Sequence, residues 1–215
     1  SGRLFLATMK SKLPKPPLQI GITGGIGSGK TTACRVFEAL GIPVYYADAR
    51  AKWLMVHQAG LKSKIQALFG DEAYGEAGQL NRPHIARLAF QDQSLLDQLN
   101  ALVHPAVGED AAAWHARQSG VPYTLKEAAL LYESGSFKAL DAVIVVTAPE
   151  ALRLRRVMER DGVAEEAVRA RMAKQMPEAE KARRADFVIH NDGHQGLLQQ
   201  IHAIHQELTK RYGEI

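Results

Sequence analysis

Two hydrophobic patterns alternate along most of this chain. Short continuous apolar runs, typical of strands buried on both faces of a parallel sheet, occur at 18–23, 43–46, 141–147 and 186–190. Segments with helical spacing separate these runs. The final segment is the clearest, because its apolar residues repeat at 197, 201, 204 and 208. Alternating strands and helices predict an α/β fold with a parallel sheet between two layers of helices.

A further strand is predicted to begin at 121 and to run to 133, which gives five strands in all. Residues 49–119 contain no convincing strand. Helical spacing is found there at 49–56, 61–69, 82–90 and 94–117. We expect the last of these helices to be interrupted at His104-Pro105, because proline disfavours helix at the residue before it. This order indicates a helical insert at about 49–119.

Residues 150–184 are rich in arginine and carry helical spacing. Arg153, Arg156 and Arg160 form one stripe of a helix at positions i, i+3 and i+7. Most such charges lie on solvated faces, but two or three of them could reach a phosphate group. We therefore interpret residues 150–184 as a helical lid.

Residues 24–31 read Gly-Gly-Ile-Gly-Ser-Gly-Lys-Thr and match the phosphate-loop pattern G-x-x-x-x-G-K-[ST] at every required position. The apolar run at 18–23 precedes the motif, and a segment with helical spacing at 32–40 follows it. Strand, glycine loop and helix are the context that the motif requires. The context therefore favours a nucleotide site over a chance glycine turn.

The residue types of the loop explain its chemistry. Glycines let successive backbone N–H groups face inwards, and together with the helix N-terminus these groups form an anion site. We expect Lys30 to reach the β- and γ-phosphates and the Thr31 hydroxyl to bind Mg²⁺. Thr32 either contacts the α-phosphate or only begins the helix. The expected nucleotide-binding residues of the loop are Gly25, Ile26, Gly27, Ser28, Gly29, Lys30, Thr31 and Thr32.

Asp48 follows the apolar run at 43–46. Ligands of open α/β sheets bind at the carboxyl ends of the strands, so Asp48 is a candidate base or metal-site residue near the loop. Aspartate is also a common N-cap, here for the helix at 49–56. The spacing alone leaves both roles open.

Other polar residues are weaker candidates. Arg82 and Arg87 could bind phosphate, although a single arginine is more often a solvated surface charge. His104 fits a structural or capping role better than a catalytic one. Glu133 lies near a predicted strand end, whereas Glu127 lies inside the predicted strand and is expected to pair with a neighbouring side chain.

Composition narrows the function further. The 215 residues are 46% hydrophobic and 23% charged, which suits one globular domain, predicted at 18–212 after a flexible lead-in at 1–17. The net charge of +4 suits a phosphate-rich ligand. The sequence contains no basic helix and no aromatic ladder of the kind that would indicate nucleic-acid binding. No apolar run approaches the ~18 residues of a membrane span. Cys34 is the single cysteine, which favours a reducing compartment. We expect a cytoplasmic monomer.

Several segments beyond the loop occur in a specific order. They are 22–30, 41–44, 47–48, 99–105, 130–133, 156–161, 171–177 and 189–193. A phosphate loop alone would be weak evidence for any one family, but this series resembles the dephospho-coenzyme A (dephospho-CoA) kinase family over roughly 18–208.

The resemblance implies ATP-dependent phosphorylation of the ribose 3′-hydroxyl of dephospho-CoA, the last step of coenzyme A (CoA) synthesis, with ATP and Mg²⁺ as cofactors. It also implies a three-layer P-loop kinase fold with a five-stranded parallel sheet, a coenzyme-binding helical insert and a helical lid. The family's catalytic aspartate falls on Asp48, its lid arginines on Arg156, Arg160 and Arg171, and its adenine-side residues near Asn191 and Gly193. We assign the acceptor site to Asp48, Arg82, His104 and Glu133.

Two positions depart from the family pattern. Tyr46 replaces the first aspartate of the frequent Asp-Ala-Asp, so that acid is not essential here. Ala129 replaces the proline of the frequent Pro-Leu-Leu-Phe-Glu, which leaves the local backbone open. The sequence contains no clear second acid of the hydrophobic-strand type that usually completes the Mg²⁺ site of a phosphate loop, so Asp48 and Thr31 are expected to complete it, through water where needed.

Two other functions stay open at this point. Another small-molecule kinase would share the loop and the lid, and a nucleotide-dependent switch would share the loop. The long insert and the arginine-rich lid argue for an enclosed acceptor, and hence for a kinase. A nucleic-acid-binding role ranks third.

Overall fold

The computed structural model describes residues 15–214. The strands within this range are β1 (Leu18–Thr23), β2 (Val44–Tyr46), β3 (Tyr123–Glu127), β4 (Ala142–Thr147) and β5 (Phe187–His190). The α-helices of the same range are α1 (Lys30–Ala39), α2 (Ala47–His57), α3 (Ala59–Phe69), α4 (Arg82–Gln91), α5 (Gln93–Ala116), α6 (Glu150–Asp161), α7 (Glu165–Ala173), α8 (Glu178–Arg184) and α9 (Leu197–Glu214). Single 3₁₀ turns are present at Asp71–Ala73 and Ser136–Ala139.

The strands form one parallel sheet in the order β2-β3-β1-β4-β5. The predicted five-stranded parallel sheet is therefore confirmed. β1 lies at its centre, with Ile22 opposite both Glu127 of β3 and Ile144 of β4. Because the strands are parallel, their carboxyl ends meet at one edge, and the phosphate loop leaves β1 there.

Helices cover both faces of the sheet, as the hydrophobic patterns predict. On one face, Phe37 of α1 and Ile201 of α9 are completely buried in a core with Leu125 of β3. On the other face, Ile65 of α3 packs into a core that also contains Val145 of β4. The helices of the predicted insert, α2 to α5, supply most of this second core.

The third strand is shorter than predicted. β3 ends at Glu127, and the chain then turns, with hydrogen bonds from Ser134 N to Leu130 O and from Gly135 N to Tyr132 O. Three apolar residues of this segment, Ala128, Leu131 and Tyr132, are buried in the turn rather than paired in the sheet, whereas Leu130 is exposed. An apolar run of this kind is typical of a buried strand, but here the run lies in a buried turn, so the pattern predicted a strand that is too long.

The break predicted at His104-Pro105 is wrong, because α5 continues through Pro105. Proline removes one N–H donor from a helix. Val103 and Val107 are buried on either side of it, and the packing of this face holds the helix together across the missing bond.

Most of the lead-in predicted at 1–17 lies outside the described residues. Lys15 is described, and its carbonyl accepts a hydrogen bond of 2.9 Å from the Tyr212 hydroxyl. None of the helices in the described range is both long and apolar enough to cross a bilayer.

Candidate functional site

The phosphate loop depends on glycine at two positions. Gly27 and Gly29 have φ angles of +79° and +94°, which side chains rarely adopt. A Cβ atom at Gly29 would lie 2.1 Å from Asn191 Nδ2, and one at Gly27 would lie 2.5 Å from Arg153 O. The loop therefore requires glycine both for its conformation and for the close approach of its neighbours.

Helix α1 begins at Lys30 directly after this loop. Within the described part of the chain, no side chain caps α1, and its first turn carries no acidic residue. The first N–H groups of a helix have no partner inside the helix and carry partial positive charge. The start of α1 is therefore suited to an anionic ligand.

Several residues predicted for nucleotide binding surround the loop. Arg156 donates hydrogen bonds to Gly27 O at 3.3 Å and to Asn191 O at 3.2 Å. Asn191 Nδ2 donates to Ser28 O at 2.8 Å. Lys30 Nζ donates to Gly24 O at 3.1 Å. Arg156 and Asn191 thus tie β5 and α6 to the loop.

The loop cleft, with a volume of about 670 Å³, opens beside the phosphate loop. Its lining comes from the loop and α1, from the edge formed by β2, α2 and β3, and from α6, α7 and the residues after α7. These residues are Ile26, Gly27, Lys30, Thr31, Tyr46, Asp48, Ala49, Lys52, Glu127, Ala129, Leu130, Arg160, Arg171, Lys174 and Gln175.

Asp48 lies inside the first turn of α2, because that helix begins at Ala47. Its predicted alternative role as the N-cap is wrong, since Tyr46 occupies the N-cap position. The residue is exposed and lines the loop cleft. Its carboxylate is thus free to face a ligand rather than being used to begin the helix.

Glu127 is a site residue that the sequence analysis missed. Because β3 ends there, its side chain lies at the same edge as Asp48 and lines the loop cleft. The residue is 8% exposed. Burial raises the pKa of its carboxyl group, Lys30 opposes that shift, and Asp48 adds to it. The available signal was the alternation of Tyr123, Leu125 and Glu127 on one face of the strand, which the apolar residues after Glu127 obscured.

The same edge offers oxygen ligands for a divalent cation. The Thr31 hydroxyl and the carboxylates of Asp48 and Glu127 line one cleft, and Mg²⁺ prefers oxygen ligands. Across residues 15–214, no group of three or more His, Cys, Asp or Glu could hold a metal by itself. The residues therefore fit an Mg²⁺ ion that is held largely by nucleotide phosphates and water, as is usual for this ion.

Two of the arginines predicted for the lid, Arg160 and Arg171, form ion pairs with Asp161. Arg160 Nε lies 2.6 Å from Asp161 Oδ1, and Arg171 Nη1 lies 2.7 Å from Asp161 Oδ2. These two hydrogen bonds lower the pKa of Asp161 well below its ordinary value. Both arginines line the loop cleft, so Asp161 keeps two positive charges at its rim.

Glu133, assigned to the acceptor site from the sequence, lines neither this cleft nor the one described below. Its carboxylate accepts hydrogen bonds from Lys181 Nζ and Met176 N, both at 2.8 Å. Lys181 is completely buried and also donates to Ala129 O at 3.0 Å. Glu133 therefore joins the turn after β3 to α8, because β3 stops before reaching it.

Three further predicted residues lie apart from the lining of the loop cleft. Arg82 is exposed at the start of α4, and Thr32 is exposed on α1. Gly193 is exposed in the turn after β5, where its φ angle is +85°.

A second cleft of about 350 Å³ shares Asp48 with the loop cleft. One face of α5, the start of α2, the end of β3 and the turn after β3 form its walls. Its residues are Ala47, Asp48, Ala51, Asn100, Val103, His104, Val107, Lys126, Ala128, Leu130, Ser134 and Ser136. His104, predicted for the acceptor site, lines this second cleft.

Comparison with known proteins is consistent across sequence and structure. The family model described as dephospho-CoA kinase (CoaE) matches residues 18–196. A dephospho-CoA kinase from Salinibacter ruber is 44% identical over 176 residues, which are 81% of this chain and 88% of that protein. One from Chlorobium chlorochromatii is 39% identical over 94% of this chain and 98% of its own length.

Solved structures agree with the sequence relatives. TT1252 from Thermus thermophilus has a TM-score of 0.80 at 38% identity and covers 90% of this chain and 99% of its own. Dephospho-CoA kinase from Campylobacter jejuni has a TM-score of 0.65 at 26% identity, with coverages of 92% and 98%. The chain belongs to the dephospho-CoA kinase family, whose function is the ATP-dependent phosphorylation of dephospho-CoA in the final step of CoA biosynthesis.

Proposed function

We propose that this chain transfers the γ-phosphoryl group of ATP to the ribose 3′-hydroxyl of dephospho-CoA, with ATP in the loop cleft and the acceptor in the second cleft. The position of Asp48 carries this proposal, because its carboxylate lines both clefts. A residue at their junction can contact the acceptor hydroxyl where that hydroxyl faces the terminal phosphate.

The loop cleft supplies the groups that phosphoryl transfer requires. Such reactions depend on in-line positioning and on neutralisation of phosphate charge. The loop N–H groups and Lys30 hold the β- and γ-phosphates, and Arg156 lies beside Gly27 to support them. Asn191, and Gly193 in the turn after it, lie on the adenine side.

Mg²⁺ would be held by the Thr31 hydroxyl, with Glu127 and Asp48 contributing through water. When bound, the ion neutralises charge on the transferred phosphoryl group. Glu127 suits the outer position because it is buried at the strand end beside Lys30.

Asp48 orients the acceptor hydroxyl and accepts its proton as the bond to phosphorus forms. A carboxylate is a weak base, so orientation is the larger part of this role. Arg160 and Arg171 stabilise the developing charge when the lid helices α6 to α8 close and exclude water. That closure requires both arginines to exchange Asp161 for the phosphates.

The acceptor contacts proposed for the second cleft are Asp48 and His104, on α2 and α5 of the insert. Neither Arg82 nor Glu133 lines the loop cleft or the second cleft, so we assign no acceptor contact to either of them. All proposed groups come from one chain, so we expect the active protein to be a monomer. We place the reaction in the cytoplasm, where ATP is available, without nucleic acid or membrane as a partner.

The experiment that tests this function is a product analysis. Purified protein is incubated with ATP, Mg²⁺ and dephospho-CoA, and the products are separated and examined by ³¹P NMR. We expect one ADP for each new phosphomonoester, attached at the 3′-position of the ribose. Phosphate at another position, or ADP formation without a phosphorylated acceptor, would contradict the proposal.

A further inference from the structure

Lys126 places a positive charge in the second cleft. It is the fourth residue of β3, where side chains alternate between the two faces of the sheet. Tyr123 and Leu125 pack into the core with α1 and α9, and Lys126 lines the second cleft on the opposite face. The ionisable residues that line this cleft are Asp48, His104 and Lys126.

The charge of Lys126 has no ionic partner among the residues that the structure describes. The side chain is half-buried, and burial lowers the pKa of its ammonium group without an opposing carboxylate. Lysine is normally exposed when it has no partner, because removing an unpaired charge from water is unfavourable. A half-buried cation on a cleft wall therefore indicates an anionic ligand.

The rest of the cleft limits what that ligand is. Val103, Val107 and Leu130 give it apolar walls. Asn100 and His104 lie one turn apart on the same face of α5 and add polar groups to the side facing the cavity. Apolar walls with one cation suit a ligand that joins an anionic group to less polar parts.

We propose that Lys126 is a specificity-determining residue of the acceptor site and that its ammonium group binds the diphosphate of dephospho-CoA. This inference rests on the proposed function, in which Asp48 contacts the acceptor ribose at the junction of the two clefts. The diphosphate is attached to that same ribose, so it lies within reach of the cleft that contains both side chains.

The test compares Lys126→Met with Lys138→Met. Methionine keeps most of the length and the apolar character of the lysine stem but removes its charge. Lys138 is exposed on the 3₁₀ turn near the cleft, so it is a matched control. We expect Lys126→Met to raise KM for dephospho-CoA about 10- to 100-fold, the loss typical of one charged hydrogen bond. KM for ATP should stay within about twofold, and Lys138→Met should resemble the wild type.

Two further measurements distinguish anion binding by Lys126 from a role in which its side chain only shapes the second cleft. Adenosine lacks the diphosphate, so its inhibition constant against dephospho-CoA should be equal in wild type and Lys126→Met. Lys126→Arg retains the charge and should recover most of the lost affinity. The free Lys126→Met protein should also melt at a higher temperature than wild type, because an unpaired charge has left the interior.

The results distinguish a failure of the Lys126 proposal from a failure of the proposed function. If wild type phosphorylates dephospho-CoA and Lys126→Met keeps a KM within about twofold of it, Lys126 does not bind the diphosphate. An equal loss of adenosine and dephospho-CoA binding would also overturn the proposal, since the side chain would then only shape the cleft. If wild type does not phosphorylate dephospho-CoA at all, the proposed function fails instead.

Discussion

Two neighbouring residues of β3, Lys126 and Glu127, bring opposite charges to opposite faces of the sheet. Burial lowers the pKa of Lys126 and raises the pKa of Glu127, so both shifts disfavour the charged form. Each side chain lines a cleft in which a ligand can neutralise it. Strand alternation therefore explains how one short segment serves two parts of the site.

Replacement of Glu127 by glutamine should make the protein more stable and much less active. The folded-state pKa of Glu127 is above its ordinary value of 4.5, so the folded protein binds this proton more tightly than the unfolded chain does. The wild type therefore loses stability relative to Glu127→Gln as the pH rises from 4.5 through the folded-state pKa of Glu127. We expect a gain on the order of 1 kcal/mol at neutral pH, measured by urea unfolding.

The activity of Glu127→Gln should fall about 100-fold or more, because its carboxylate is proposed to support Mg²⁺. Glu159→Gln, on the exposed face of α6, is the control and should change neither property. Normal turnover by Glu127→Gln would remove this residue from the site.

Asp48→Asn should reduce kcat about 100-fold or more while the protein stays folded. Asparagine keeps the size of the side chain but cannot accept the hydroxyl proton. Asp97→Asn, an exposed change on α5, is the control for kinetics and for circular dichroism. Near-normal turnover of Asp48→Asn would show that Asp48 neither orients nor deprotonates the acceptor.

Lys30→Ala should lose the stabilisation that Mg²⁺-ATP gives to the wild type. A ligand at 100 times its Kd stabilises a folded protein by about 2.7 kcal/mol. Lys30 is proposed to hold the phosphates, so its removal should reduce the ATP-dependent rise in Tm, as measured by calorimetry. An unchanged rise in Tm would show that ATP binds away from this loop.

At this scale, the sequence identified the residues that belong to a motif. Lys30 and Thr31 follow from the phosphate-loop spacing, and Asp48 follows from its place after β2. Glu127 could not be found in this way, because its role depends on where β3 ends. Lys126 could not be found either, since its lack of a partner is a property of the folded chain.

Among the elements, the turn after β3 is held by an ion pair with a buried lysine rather than by the proline common in the family. Lys181 of α8 lies within 2.8 Å of Glu133 and also bonds to Ala129 O, at the position of the missing proline. Burial would raise the pKa of Glu133, but the bonds from Lys181 and Met176 N outweigh it and lower the pKa. This pair fixes the chain that follows Glu127.

Glu133→Gln should destabilise the protein by about 2 kcal/mol at pH 7, because the bond to a charged partner is weakened. The folded-state pKa of Glu133 is below its ordinary value of 4.5, so its contribution is present above that value and is lost as the pH falls through the folded-state pKa. Urea unfolding at pH 7 and at about pH 3 should therefore show a smaller gap between the two proteins in acid. An equal gap at both values would show that the ion pair does not stabilise the turn.

Hydrophobic patterns predicted the helices themselves better than the positions at which those helices begin and end. The apolar stripe of α9 predicted this helix correctly, because the residues of the stripe all pack into one core. At Pro105, local propensity predicted a break, but packing of Val103 and Val107 kept α5 continuous. Of the arginine stripe, Arg153 is buried against Glu178 and joins α6 to α8, whereas Arg156 contacts the phosphate loop and Arg160 lines the loop cleft.

For the whole molecule, the parallel sheet accounts for the arrangement of the site. All strands end at one edge, which brings the loop after β1, Asp48 after β2 and Glu127 of β3 together. Helices α2, α5, α6 and α7 then border two clefts that meet at Asp48. Alternating strands and helices predicted this edge, but the shape of the clefts depends on packing over long sequence distances.

The most direct test of the whole proposal is an acceptor comparison. ATP consumption is measured with Mg²⁺ and, in parallel, dephospho-CoA, AMP, CMP, adenosine or shikimate. We expect ADP and CoA to appear together with dephospho-CoA, and little ADP with the other compounds. ATP that binds but is not consumed with dephospho-CoA, or faster consumption with another acceptor, would contradict the proposed reaction.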